Sequence, residues 1–282
     1  MIATGFHTDL PFPDYLAIEH LSPSGAKLLA RSPAHYAWSR AHPYPETPAL
    51  RIGKATHSLA LEGRAAFAAA FAVEPKADGR TKEGKAIKAA FAEEAEGKAI
   101  LTATEAELVE GMAAGILAHP LAPALIEGGT AELSAIWSDP ATGAPCKGRF
   151  DLARLADGAI IDLKTTIDAS PSAFARAVLS FGYSTQAAAY LAGAAALGAD
   201  VRDFVVIAAE KTAPYVVGIY RLPDAALEIG RRRWAAACAL YAQCRESGQW
   251  PGYGDGIQEL TLPGWALSEL FEDSDENDQT HE

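Results

Sequence analysis

The sequence predicts a mixed α/β fold, a central sheet flanked by helices with a helical portion ahead of it. Three observations carry this. Up to about residue 128, apolar residues recur at helical spacing; from Ala131 the period changes to two; beyond residue 170, long helical stretches are interleaved with further strands. Hydrophobic residues make up 49% of the 282, enough for a sizeable core and too many for global disorder.

The elements follow in order. "SPSGAKLLARSPAHYAWSRA" (22–41) opens on a Ser-Pro start signal and reads as a helical stretch, as does "ALRIGKATHSLALEGRAAFAAAF" (49–71). "TATEAELVEGMAAGILAHP" begins at Thr102 with a Thr-x-x-Glu capping box. The lysine-rich segment 75–97 reads as a helical insertion. Strands are expected over 131–138, 146–156 and 159–166, then a helix over 171–197, strands over 201–211 and 214–223, and a helix over 223–247. The expected organisation is one domain over 1–270, with a helical portion 1–128 and a sheet-containing core 129–250, ahead of an acidic tail (271–282) expected to be disordered.

The formal net charge of −12 argues against nonspecific coating of DNA and leaves room only for a locally basic groove. Three cysteines in no metal-like spacing fit a reducing, cytoplasmic setting and speak against a four-cysteine zinc or iron–sulfur site. No signal peptide or bilayer-length apolar run is present, so no membrane is expected. "GKAT" at 53–56 lacks the preceding glycine of a Walker A loop.

The chemistry concentrates in "GAIIDLKTT" (158–166). Side chains alternate along a strand, so Asp162 and Lys164 share one face while Leu163 turns to the other. Asp157-Gly158 is a favoured two-residue hairpin pair, which would set Ala156 opposite Ala159, Ala153 opposite Asp162 and Asp151 opposite Lys164. Asp151 then lies diagonal to Asp162, roughly 7–8 Å away at Cα, so both carboxylates can reach one cation. An exposed Asp151–Lys164 salt bridge is the plainer reading. Two carboxylates this close repel unless a cation sits between them, and a divalent ion would supply it.

Asp151 followed by Asp162-Leu163-Lys164 on adjacent strands resembles the signature of the PD-(D/E)xK nucleases. Gly53-x-x-x-His57 and Gln186-x-x-x-Tyr190 resemble the accompanying helix motifs of the RecE-type exonucleases, in the same order along the chain. The resemblance implies that Asp151, Asp162, the Leu163 main-chain oxygen and His57 hold Mg²⁺, with Mn²⁺ able to substitute. It implies that Lys164 positions the attacking water and stabilises charge on the scissile phosphate, that Glu132 lies near the water, and that Gln186 and Tyr190 touch DNA or buttress the site. Arg149 is a candidate phosphate contact, helped by Lys147 and Arg154, while Arg231, Arg232 and Arg233 read equally well as a solvated helix face.

The activity implied is exonucleolytic digestion of double-stranded DNA from its ends, 5′→3′, leaving 3′ single-stranded tails. The family further implies a toroidal homotetramer, a single-strand annealing protein as partner and a phage recombination system. A non-catalytic DNA-end-binding scaffold and a structure-specific endonuclease remain as alternatives.

Overall fold

Prolines and hydroxyls set the boundaries of the N-terminal helices. The computed structural model describes residues 2–42 and 45–264. A short strand, β1 (Gly5–His7), precedes helices α1 (Phe12–Ala17), α2 (Pro23–Arg31), α3 (Pro33–Ala41) and α4 (Pro48–His57). Ser22, Ser32 and Thr47 each accept a first-turn backbone N–H of α2, α3 and α4, and each helix starts at a proline, whose missing N–H would have had no partner there. The stretch 22–41 is therefore two helices. Ser32 is extended (φ −171°, ψ 153°), as a residue before proline prefers, and caps the second.

Helix α4 runs into a π-helical turn, Ser58–Glu62, which ends at Gly63 (φ 92°) before α5 (Arg64–Ala70). Segment 74–98 is bracketed by a parallel pair, β2 (Phe71–Val73) and β3 (Ala99–Leu101), which the sequence reading did not anticipate. Between them lies α6 (Lys82–Glu94). The Thr102–Glu105 capping box opens α7 (Ala103–Ala118), and α8 (Ala122–Ile126) leads into the sheet.

The main sheet adds β4 (Thr130–Ser138), β5 (Pro145–Arg154), β6 (Ala159–Thr166), β7 (Asp203–Glu210) and β8 (Val217–Arg221), in the order β1-β4-β5-β6-β7-β8. All neighbours are antiparallel except β6 and β7, which are parallel and joined through α9 (Pro171–Ser180) and α10 (Tyr183–Ala196). The single helix expected over 171–197 breaks at Gly182, whose φ of 75° lies outside the helical range. Helix α11 (Asp224–Ser247) closes this unit. Each face of the sheet carries its own core. Trp137, Phe150, Ile160 and Phe204 pack with residues of α2, α3, α9, α10 and α11 on one side. Leu152, Ile161, Leu163 and Ile207 pack with residues of α4, α5 and α7 on the other.

The hairpin between β5 and β6 differs from expectation. Leu152 pairs with Ile161, Ala153 with Ile160 and Arg154 with Ala159, so the loop has four residues, Leu155–Gly158, rather than two. Leu155 packs against the first core and starts a 3₁₀ turn, Arg154 pairs with Asp157, and Gly158 (φ 70°) completes the reversal. The shift is two residues, so each side chain keeps its face. Continued along the strands, this register sets Asp151 across from Asp162 rather than from Lys164.

The chain divides into a compact unit, Met1–Trp250, and a second, Pro251–Glu282, in whose described part (251–264) there is no named helix or strand. The expected acidic tail lies outside the described residues. Among those described, no helix is long and apolar enough to cross a membrane.

Candidate metal centre and catalytic site

The site forms where two central strands part. Strands β5 and β6 pair over only three residues, whereas β6 and β7 pair along their whole length. Past Leu152 the backbone ladder stops, and the Leu163 N–H donates instead to the Asp151 carboxylate (Oδ2, 2.9 Å). On the other side of Asp151 lies Glu132, which should pair with it but does not appear in the β4–β5 ladder. Glu132 has φ 52°, in the left-handed region that non-glycine residues avoid. Its effect is visible in the packing. Ala131 and Leu152 join the second core, while the neighbouring pair Leu133 and Phe150 joins the first. The two strands switch faces together at Glu132 and Asp151, which aims both carboxylates into the fork.

His57 arrives from the opposite side, at the end of α4 where the π-helical turn begins, a helical irregularity often found at functional sites. Its Nδ1 lies 3.6 Å from Asp151 Oδ2. His57, Glu132 and Asp151 each present one ligand atom, all within 4.8 Å of one another. Burial, reinforced by the Lys164 ammonium, pushes the His57 imidazole down to about 4, so it is neutral and has a free lone pair at neutral pH. Burial raises both carboxylates. Glu132 reaches about 7 with Asp151 as the next contributor, and Asp151 itself is raised. Two oxygens and an imidazole nitrogen, crowded and short of positive charge, form a donor set that fits a divalent cation.

Asp162 is fully buried and divided between two partners. Gln186 Nε2 donates to Oδ1 (2.8 Å), while Lys164 Nζ lies 2.5 Å from Oδ2. The ammonium is thus the partner of Oδ2, in a pocket closed to solvent. Burial lifts Asp162 to about 6, still below neutrality, whereas for Lys164 the pull of Asp162 and Asp151 outweighs burial and raises the ammonium. The pair is therefore ionised at pH 7.

Gln186 and Tyr190, one turn apart on α10, extend this network. Gln186 Nε2 also reaches the Tyr190 hydroxyl (3.2 Å), which donates to the Arg149 carbonyl (2.6 Å). Both expected roles were open, and the structure uses these residues as a buttress from α10 to β5 and β6. Arg149 differs from the expected phosphate contact. Its guanidinium donates to Ser134 Oγ (2.9 Å) and the Leu10 carbonyl, sits over the Tyr15 ring, and lies 3.8 Å from Glu132. An arginine with only 11% of its side chain exposed and this many internal partners braces the strand instead.

Lys147 is likewise internal. Its ammonium binds the carbonyls of Tyr15, Leu16 and Ile18 at the end of α1. Arg154 pairs with Asp157 and binds the Ala124 carbonyl. The family-implied ligand set also shifts. Glu132 joins the cluster itself, whereas Asp162 turns toward Lys164, because a carboxylate without solvent needs the nearest cation.

Two neighbours escaped the sequence reading. Glu62, at the end of the π-helical turn, contributes to the charge environment of both His57 and Glu132. The Tyr183 ring lies 5.0 Å from Lys164 Nζ. The acid at the end of "HSLALE" was a visible signal; Tyr183 carried none.

Comparison with known proteins bears on the fold that carries this site. A crystal structure described as a "putative exonuclease" from Eubacterium rectale superposes with a TM-score of 0.55 at 16% identity, over 89% of this chain and 93% of that one, which establishes the shared fold. No curated protein matches the chain. The model of a "PDDEXK-like domain of unknown function (DUF3799)" matches residues 22–262, most of the chain and every residue of the site. The chain belongs to that family, and its fold is that of the PD-(D/E)xK nucleases.

Proposed function

We propose that the protein is a metal-dependent exodeoxyribonuclease that degrades linear double-stranded DNA from its ends. The observation that carries this reading is the fork itself, which brings His57, Glu132 and Asp151 together beside an ionised Asp162–Lys164 pair. Digestion 5′→3′, with 3′ tails passed to an annealing protein, rests on the RecE-type motifs Gly53-x-x-x-His57 and Gln186-x-x-x-Tyr190.

His57, Glu132 and Asp151 would hold Mg²⁺, with Asp162 Oδ2 and the Leu163 main chain beside them. A hard cation kept largely by oxygens suits Mg²⁺, and the imidazole admits Mn²⁺. When bound, the ion supplies Lewis acidity toward water and charge against the phosphate oxygens. In the reaction, a water oxygen bonds to phosphorus, the bond to the leaving sugar oxygen breaks, and that oxygen takes up a proton. Lys164, whose ammonium form Asp162 and Asp151 favour, orients the water and balances charge gathering on the phosphoryl oxygens. Glu132, less buried than Asp151 and Asp162, would hold the ion through one oxygen and leave the other to take the water's proton and pass it to solvent. Gln186 keeps the Asp162 carboxylate from rotating away.

The test is digestion of linear duplex DNA with and without Mg²⁺, beside a covalently closed circle of the same sequence. Mg²⁺-dependent release of nucleotides from the linear form alone is expected, abolished by Asp151→Ala and by Asp162→Ala. Cleavage of the closed circle would replace the exonuclease with an endonuclease, and full activity in Asp162→Ala would remove the site.

A further inference from the structure

A cavity of about 610 Å³ opens beside the catalytic fork and has no part in the reaction just described. It lies among α2, the α9–α10 junction and α11, and Gln186 and Tyr183 line both it and the fork. Its far wall carries Phe181, a residue 58% exposed although it sits at the break between two helices. Lys27 Nζ lies 5.9 Å from the centre of that ring, and Arg233 faces the same cavity from α11. These two cations differ from their neighbours. Arg231 and Arg232 are both paired with Glu228, whereas Lys27 and Arg233 have no ion pair among the described residues. An acidic chain has placed two uncommitted cations around an exposed aromatic ring, one helix away from its catalytic lysine.

We infer that this cavity holds unpaired nucleotides of the strand being hydrolysed, with a base stacked on Phe181 and the backbone phosphates held by Lys27 and Arg233. The inference rests on the nuclease reading for the identity of the strand. An aromatic face binds a base whose own stacking has been given up, so it selects single-stranded over duplex nucleic acid. Cations near the ring neutralise phosphates without reading sequence, as an enzyme that must accept every base requires. Tyr183, between Phe181 and Lys164, carries the strand from cavity to fork: its ring is 5.8 Å from that of Phe181 and 5.0 Å from the Lys164 ammonium.

The experiment measures anisotropy of a short fluorescein-labelled oligothymidylate, and of a blunt duplex, in EDTA with the full chain. Phe181→Ala should weaken oligothymidylate binding about tenfold, the loss of one stacked base, and change duplex binding less than about twofold. Phe181→Leu, which keeps apolar bulk and removes the ring face, should show the same loss. Lys27→Gln combined with Arg233→Gln should flatten the dependence of log affinity on log salt by about 1.4, the loss of two phosphate contacts. All three side chains are exposed, so thermal midpoints should not move. Oligothymidylate affinities within about twofold of wild type in every variant would overturn the cavity's role, and Mg²⁺-dependent digestion would still stand. Phe181-dependent binding in a wild-type protein that digests nothing would instead sink the nuclease reading and keep the cavity as a single-strand site.

Discussion

Glu132 carries two costs, a left-handed backbone and a carboxylate that burial and Asp151 raise from 4.5 to about 7. In the unfolded chain this glutamate loses its proton near 4.5, while the folded one keeps it until about 7. Stability is therefore lost as pH rises between those values and stays lost above them. The shift corresponds to about 3 kcal/mol, and with a third of the side chain in water about half of that is expected. In EDTA, Glu132→Gln should be more stable than wild type by roughly 1–2 kcal/mol at pH 8 and by nothing at pH 4, read from urea melts. A gain independent of pH would contradict the assignment. Lys164→Met makes the opposite prediction. It leaves Asp162 buried without a counter-charge, so the metal-free protein should lose about 3 kcal/mol, and Mn²⁺ should raise its thermal midpoint more than it raises wild type's. With metal it should lose about three orders of magnitude in hydrolysis rate. That Asp162 and Lys164 meet was legible in the sequence, because strand alternation puts positions two apart on one face, whereas Asp151 lies where β5 switches faces. Glu132's place in the cluster was not legible, since it depends on one positive φ that no residue type announces. Arg149 shows the same limit: its face was readable, but not the Ser134 and Leu10 partners that its guanidinium binds.

At the scale of elements, the site depends on how closely α10 lies against α11. Gly230 makes that approach possible, since a Cβ there would sit 2.0 Å from the Ser184 carbonyl oxygen. Gly230→Ala should push α10 away, cost about 2–3 kcal/mol, and lower activity beyond what lost stability explains, because Gln186 rides on the same helix. Unchanged kinetics in a destabilised Gly230→Ala would show that the buttress tolerates movement. The long strands, α7 and α11 were legible from period and capping. The breaks at Ser32 and Gly182 were underread, although Pro33 and Gly182 marked them. Strands β1, β2 and β3 were missed because three residues are too few to show a period, and they exist through tertiary pairing alone.

For the whole molecule, the proposed function asks a chain with a net charge of −12 to hold a polyanion. A closed ring around the duplex would present the same cations several times and prevent escape except at an end, so we propose the tetramer that the RecE-type resemblance implies. Light scattering should then give about four times 29.6 kDa, and digestion of long duplexes should persist after competitor DNA is added; a monomer that releases its substrate after each cut would refute the ring. The parallel β2–β3 pair has a different consequence. It fastens the chain where segment 74–98 leaves the body and where it returns, and α6 within that segment buries only Gly84. Because loop-closure entropy grows slowly with length, such a stapled excursion can be shortened, replaced or enlarged with little effect on the rest. It is the natural place for this lineage to accept foreign sequence, a port where new specificity can be acquired without redesigning the enzyme.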